Sequence, residues 1–521
     1  MKKFNCKWFY LLMFLPLLFS CNESDTWINH YEQTAQERTD LRLADFINSQ
    51  EDLSKFYQML QISGYDTLLN ASQSFTVWVP QNAALEGVDL GDKDKVTEIV
   101  KNHIARFTIS SSGIESKRVF MIDAKFINFT KSTGNLTFGN KSVVRPDILA
   151  NNGIIHVIDG YVPYINNIWE HIISADGLDS LSDYMKSKTK LIFNPLLSTI
   201  ITYNDDGTPI YDSASGFVYS NEILNVIGAL DNEDSLYTVL LPDNEAWKSS
   251  YSYMECFYKV LPEEGGAKQQ KKYIRNNIVQ NMVFREKVLV PSEYDSLTTT
   301  TGNVFHDPAT IFEGASFTEQ SNGWSYITDS LKYKPTETFL TEIRVEAENP
   351  DTRTLYQSTV SQRSSAGTGF NLSGDKYILV NPSTARNITG VIFKIPNTLS
   401  AKYKIYVVFA PLSVTGSADT LVSNLAYALY YNDLNKAGTK GEQKFINITN
   451  PDFVTDPHGV TKMYVTDFEF PYSNIIDLED KETVENNTTV TLWVVNMNTK
   501  ETTKLTRRMC IDCIILEPVL E

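Results

Sequence analysis

The chain has 521 residues, too many for one hydrophobic core, and a prior of roughly 100–200 residues per domain divides it into several units. Hydrophobic residues are 42% and charged residues 21%, with 27 Tyr and 27 Phe, which is apolar surface enough to exclude wholesale disorder. The formal net charge is −17, and so acidic a surface repels phosphate backbones, which removes nucleic acid from the expected partners.

At the N-terminus Lys2, Lys3 and Lys7 precede an apolar run from Trp8 to Phe19 that ends at Leu18-Phe19-Ser20-Cys21. Residues 1–20 read as a secretory signal. The last four resemble the lipobox of bacterial lipoproteins, which implies that Cys21 is acylated and that 21–40 is a lipidated linker; a plain signal peptide cut nearby is the alternative. Asn22-Glu23-Ser24-Asp25 resembles the export signal of Bacteroidetes-type surface lipoproteins, although a solvated linker has the same composition. That resemblance implies an outer-membrane, lipid-anchored, cell-surface protein. No other segment approaches the ~20 apolar residues of a membrane span, so the lipid is the only anchor expected.

The next stretch, "NSQEDLSKFYQML", offers Asn48 or Ser49 as a helix cap with an acidic residue three positions on, and Leu53, Phe56, Tyr57 and Leu60 fall on one helical face. Ser174, Leu178, Leu181 and Met185 occupy corresponding places further on. Three more blocks recur in order. "SFTVWVPQNAAL" (Ser74 to Leu85) matches "LYTVLLPDNEAW" (Leu236 to Trp247), "VKNHIARF" (Val100 to Phe107) matches "IRNNIVQN" (Ile274 to Asn281), and "NNGIIHVIDGYV" (Asn151 to Val162) matches "SNGWSYITDSLK" (Ser321 to Lys332). These repeats predict two homologous domains. Asn152-Gly153 reads as a turn tolerating positive φ, followed by an apolar strand. His156 becomes Tyr326 in the second copy, which favours a structural ring with a polar tip over a catalytic proton carrier.

The Pro-x-Asn-x-Ala turn and the late Asn-Gly-x-x-His-x-Ile-Asp strand together resemble the fasciclin family, over 41–165 and, more weakly, 166–335. The resemblance implies two α+β domains that act as adhesion or binding modules. Some animal members carry a Tyr-His pair where this chain has Asn102-His103, and the departure at Asn102 puts a receptor contact there in doubt. An insert of the second copy, "TYNDDGTPIYDS" (Thr202 to Ser213), reads as a hairpin with a Gly turn.

From 341 to 521 short β-branched and aromatic strands take over, including "YVTDFEF", where Tyr464, Thr466, Phe468 and Phe470 alternate with Val465, Asp467 and Glu469. They predict an all-β jelly-roll or sandwich. Its first and last strands, "RVEAEN" and "CIDCIILEP", resemble those of carbohydrate-binding modules with the galactose-binding-like fold. That resemblance implies a structural calcium on Glu346, Glu348 and Asp512; acidic residues on a solvated edge are the alternative. A glycan site needs aromatic faces with polar neighbours, for which Tyr427, Tyr430, Tyr431, Tyr464 and Trp493 are candidates, although no ligand-binding residue is assigned. Cys510 and Cys513 have the spacing of a metal half-site, but a second such pair is missing and a strand reading is preferred; Cys256 leaves an odd thiol.

The chain contains no HExxH, GxSxG, phosphate loop or dinucleotide fingerprint, and is read as a non-enzyme. The expected function is an accessory binding protein capturing glycan or peptide nutrients beside a SusCD-type TonB-dependent transporter, or alternatively an adhesin for cell-cell or cell-host attachment.

Overall fold

The computed structural model describes residues 37–132, 134–212, 215–416, 420–475 and 489–520. Cys21, the expected acylation point, lies outside the described residues, as does the rest of the expected leader. The described residues divide into two compact units: one comprises those up to Glu170 with Leu230–Ser235 and Gln320–Asn322, and the other holds the remaining described residues.

The first unit is built on one mixed sheet. Its strands run in the order Ile104–Arg106, Phe75–Pro80, Gly153–Ile158, Lys141–Ala150, Asn135–Phe138, Phe126–Ser132 and Ser116–Phe120. Phe75–Pro80 and Gly153–Ile158 pair in parallel with every residue buried, which explains why both read as unbroken apolar runs. Alternation along these strands feeds two cores. Val77, Val79, Ile155 and Val157 pack with Leu53, Phe56 and Leu60 of the helical segments, whereas Trp78 packs with Phe129, Phe138 and Ile158.

The two asparagines of the repeated motifs act as helix caps supplied from a distance. The helix Leu43–Ser49 has no cap from its own preceding residue; the Leu43 N–H instead donates to Asn152 Oδ1 at 2.9 Å, while Asn152 Nδ2 donates to the carbonyls of Leu69 and Ala71 at 2.7 and 2.9 Å. Asn82 Oδ1 likewise accepts from Lys55 N–H at 2.9 Å, in the first turn of the helix Ser54–Ser63. The expected capping box on Asn48 or Ser49 does not form, because Ser49 closes the preceding helix and its hydroxyl turns back to the Phe46 carbonyl. Gly153 is required for space and not for positive φ: a Cβ there would sit 2.0 Å from the Phe75 carbonyl oxygen.

Segments belonging to the second repeat reproduce these bonds. Asn322 Oδ1 accepts from Ile168 N–H at 2.8 Å and its Nδ2 reaches the carbonyls of Leu230 and Asn232. In the second unit Asn244 Oδ1 accepts from Ser180 N–H at 2.9 Å, and Tyr237–Pro242 pairs in parallel with Gly323–Thr328. Trp78 N–H donates to His103 O, and Leu240 N–H donates to Met282 O. The register therefore aligns "VKNHIARF" with Val279–Glu286, five residues beyond the sequence match, because the helix Gly266–Gln280 is longer than its counterpart Lys93–Lys101. His156 Nε2 donates to the Ile109 carbonyl at 2.9 Å, and the Tyr326 hydroxyl donates to the matching Val288 carbonyl at 2.9 Å. Both rings thus do the same structural work.

The insert in the second unit is larger than a single hairpin. Thr189–Phe193 pairs with Phe217–Asn221, and beyond them Ile200–Tyr203 pairs with Pro209–Tyr211 around Gly207 at φ +83.

After residue 341 the second unit contains two antiparallel sheets. One runs Ser358–Ser364, Lys376–Pro382, Met509–Pro518, Lys402–Ala410, Thr461–Glu469, with Ile343–Glu346 also on Met509–Pro518; the other runs Arg353–Tyr356, Thr389–Lys394, Thr491–Asn496, Asn424–Leu434, Gly441–Val454. The opening and closing strands pair with Glu346 opposite Cys513. The alternation expected around Tyr464 breaks: a register shift opposite Ile405 and Tyr406 leaves Val465 as an extra residue, so Val465 is buried and Tyr464 exposed.

Replacing Asn152 by Ala strands a buried N–H and two carbonyls, and the expected cost is about 3 kcal/mol of unfolding free energy by denaturant titration. His103 provides a pH test. It is fully buried, its Nδ1–H donating to Ile99 O and its Nε2 accepting from Val162 N–H, and burial lowers its pKa from 6.5 to about 4 despite the Ile99 bond. Above 6.5 neither state is protonated; as pH falls from 6.5 toward about 4 only the unfolded chain takes up the proton, so stability drops by about 3 kcal/mol. His103→Gln should flatten that slope when unfolding is titrated with urea at several pH values.

Candidate binding face and acidic cluster

Asp512 lies at a bulge in Met509–Pro518: Val408 pairs with Cys513 and Phe409 with Ile511, so Asp512 has no opposite number on that strand. A bulge re-aims a side chain. Here the Asp512 carboxylate, only 3% exposed, turns to the Ser373 N–H, which lies 3.1 and 3.2 Å from its two oxygens. The Ser373 hydroxyl donates to Glu346 Oε1 at 2.6 Å. Glu348 also approaches this turn, its Oε1 3.9 Å from where a Cβ on Gly374 would stand. Burial, reinforced by the charges of Glu346 and Glu348, raises the Asp512 pKa to about 6.

Of the three residues expected as cation ligands, Glu346 and Asp512 bring carboxylate oxygens within 4.8 Å of each other, while Glu348 lies near the same turn outside that group. Oε2 of Glu346 and Oε2 of Glu348 are buried without a hydrogen-bond partner among the described residues. Cys513 Sγ also lies within 4.8 Å of donor atoms of Glu346 and Asp512. Burial first, and the Asp512 charge next, push its thiol up to about 12, and Arg344 Nη1 lies 3.5 Å from the sulfur. The charged and hydroxyl oxygens make this a set suited to a hard cation such as Ca²⁺, with the thiol as a bystander. Cys510 and Cys513 belong to separate apolar clusters, so the spacing does not form a joint half-site. Ser373 was not foreseen, because it comes from a loop 139 residues away in sequence.

The five candidate aromatics separate. Tyr427 is 2% exposed and packs edge-on against Phe453. Tyr431 packs on Phe468 with centroids 4.7 Å apart. Tyr464 is exposed on the other sheet, bonded to Asp467. Tyr430 and Trp493, however, stand on the outer face of the second sheet, since their neighbours Leu429, Leu492 and Val494 are fully buried. Two residues absent from the sequence reading complete a row: Tyr356 to Trp493 is 5.5 Å with planes at 37°, Trp493 to Tyr430 is 5.1 Å at 31°, and Tyr430 to Phe445 is 5.3 Å at 24°.

Cross-strand register creates this row. Ala428 pairs with Trp493, and Tyr430 pairs with Phe445 on the next strand, so alternate positions of neighbouring strands present their rings together. Ala426 and Ala428 on the same face leave room beside the indole. At the Phe445 end, Asn447 is exposed two positions along the same strand. The face therefore presents ring surface with an amide beside it and carries no acidic side chain among the row's members.

Comparison with known proteins adds a family relation for the first unit. Residues 51–162 match the fasciclin domain. Stabilin-2 from Mus musculus is 23% identical over 205 residues, 37% of this chain and 7% of its own length. Human periostin is 31% identical over 126 residues, 22% of this chain and 15% of its own. The chain thus spans a small part of these relatives. A solved fasciclin domain pair from the insect cell adhesion molecule Fasciclin I covers 55% of this chain and 98% of its own at 12% identity and a TM-score of 0.20. His103, at the position where a receptor contact was considered, is 0% exposed with both ring nitrogens bonded, which removes it as a contact in the folded protein.

Proposed function

We propose that the protein is a noncatalytic adhesion protein whose C-terminal sheets form a galactose-binding-like sandwich that holds a surface glycan. The observation that carries this reading is the row Tyr356, Trp493, Tyr430 and Phe445, with adjacent ring centroids 5.1 to 5.5 Å apart. Aromatic faces receive the apolar faces of sugar rings, and flanking amides bond their hydroxyls. The fasciclin match over 51–162 supports adhesion as the use of that binding. In this reading the second repeat, 166–335, is a second fasciclin-like domain, supported by the Asn322 and Asn244 caps and the Tyr326 bond. Cys21 supplies the lipid anchor at the outer membrane.

Nutrient capture with a SusCD-type transporter is the second reading, since the same face would bind a soluble glycan. Deleting the gene separates the two: adhesion requires reduced attachment with unchanged growth on every glycan, and capture requires the reverse.

Isothermal titration of the lipid-free protein against soluble glycans should find a binder whose affinity falls by about 1–3 kcal/mol, or roughly 5- to 150-fold, in Trp493→Ala. Unchanged binding in both Trp493→Ala and Tyr430→Ala would reject the face. For the acidic cluster we propose Ca²⁺, and the charge balance gives opposite signs with and without it. In chelator, Glu348→Gln should raise the thermal midpoint by relieving repulsion, and in excess Ca²⁺ it should lower it relative to wild type. A Ca²⁺-independent midpoint in both proteins would discard the cation.

A further inference from the structure

The sheet of the first unit almost closes on itself. Its two terminal strands, Ile104–Arg106 and Ser116–Phe120, meet at a single bridge between Ala105 and Met121, with Ile122 N–H donating to Ile104 O at 2.9 Å. Beyond that point the strands part, and a cavity of about 420 Å³ opens between them. Arg106, Phe107, Lys117, Arg118, Phe120 and Ala124 are among its walls, and among the described residues no acidic one lines it. Phe107 and Phe120 are 74% and 56% exposed, an unusual state for two phenylalanines beside one cavity.

The backbone here is strained. Phe107 has φ +68 and Ala124 φ +69, both in the left-handed region that side chains disfavour. The surroundings enforce the Phe107 geometry: its N–H donates to Ser74 O, and its carbonyl accepts from Thr76 Oγ1 at 2.8 Å. The second repeat has the same threonine, with Thr238 Oγ1 donating to Glu286 O at 2.7 Å, yet Glu286 is not at positive φ. The strain is thus a property of the first copy and sets the exposed ring over the cavity.

Charge points to an anion. Arg118 is fixed as a wall, donating to Asp234 Oδ1 at 3.0 Å and to Glu233 O at 2.6 Å, with its guanidinium 3.9 Å from the Phe126 ring centre. Arg106 and Lys117 are exposed and have no ion-pair partner among the described residues. On a chain of net charge −17, two such cations beside a cavity with no carboxylate in its walls form a local positive site. Among the described residues, the edge of Ser116–Phe120 that faces the cavity pairs with no strand past the Met121 bridge, so its outward N–H and C=O groups are available.

We propose that this seam binds an acidic peptide in extended conformation, which adds as a strand to the Ser116–Phe120 edge, sets its carboxylates on Arg106 and Lys117, and rests an apolar residue on Phe107. Main-chain pairing from a free edge selects a polypeptide over other polyanions, and the cations and rings read its side chains. This site is independent of the glycan face.

Fluorescence polarisation with labelled peptides tests it, using an alternating Glu/Val heptapeptide, its Lys/Val counterpart, the Glu/Val peptide N-methylated at alternate residues, and a sulfated oligosaccharide as competitor. The Glu/Val peptide is expected to bind saturably, with affinity falling as salt rises, and the Lys/Val peptide is expected not to bind. N-methylation and the substitutions Arg106→Glu and Lys117→Glu should each weaken binding about tenfold or more. Phe107→Gly relieves the left-handed strain, so it should raise the thermal midpoint while weakening the peptide; a change in binding that merely followed lost stability would go the other way. Absence of saturable binding, equal binding of the N-methylated peptide, or full displacement by the sulfated oligosaccharide would overturn the proposal.

Discussion

The first unit depends on one asparagine side chain. Asn152 satisfies the first N–H of the helix Leu43–Ser49 and the carbonyls of Leu69, which ends the helix Tyr65–Leu69, and of Ala71 in the turn after it, tying a strand end, a helix start and a helix end together at one buried amide. Gly153 beside it lets the strand approach Phe75 more closely than any side chain would permit. Because helix ends leave unpaired backbone groups, a cap delivered from another element fixes the position of the helix on the sheet as well as its start. Asn82 does the same for the next helix. The repeat of both arrangements at Asn322 and Asn244 makes this bonding scheme, more than any apolar pattern, what the two copies share.

A second constraint operates inside the first unit. Lys125 is 4% exposed and its ammonium lies 2.7 Å from Glu170 and 2.5 Å from Glu233, with Ser321 Oγ at 3.3 Å. A buried ammonium without such partners would be costly, so the segments carrying Glu233 and Ser321 are held to this unit by the need to satisfy it. The Tyr164 hydroxyl completes the set by donating to Glu170 at 2.7 Å. Arg118 draws on the same segment through Asp234, which leaves the neighbouring Arg106 and Lys117 as the uncommitted cations at the seam.

The acidic cluster and the aromatic row show how local irregularity and regularity each make a site. A bulge frees Asp512 from the alternation of its strand and turns it to the Ser373 loop. The aromatic row arises from the opposite condition, an unbroken register across Thr389–Lys394, Thr491–Asn496, Asn424–Leu434 and Gly441–Val454 at that level, which brings alternate outward residues into line. Tyr427 and Tyr430 lie in one strand, yet one is core and the other surface, because three positions along a strand reverse the facing.

Much was legible from the residues themselves. Apolar runs marked the two buried parallel strands, repeated Pro-x-Asn and Asn-Gly motifs marked stretches with matching hydrogen bonds, and the substitution of His156 by Tyr326 marked a structural ring. The first and last strands of the final segment carry the carboxylates Glu346, Glu348 and Asp512, and their strand pairing brings Glu346 and Asp512 together. What only the tertiary structure decided depends on register and long-range contact: the five-residue offset of Asn102 onto Asn281, the asparagines acting as distant caps, Ser373 at the acidic cluster, Tyr356 and Phe445 in the aromatic row, and the open seam beside Phe107. A sequence determines which residues are apolar, charged or conformationally free, but each of these features is set by which strand lies beside which, and a shift of one residue would turn every side chain involved to the other face.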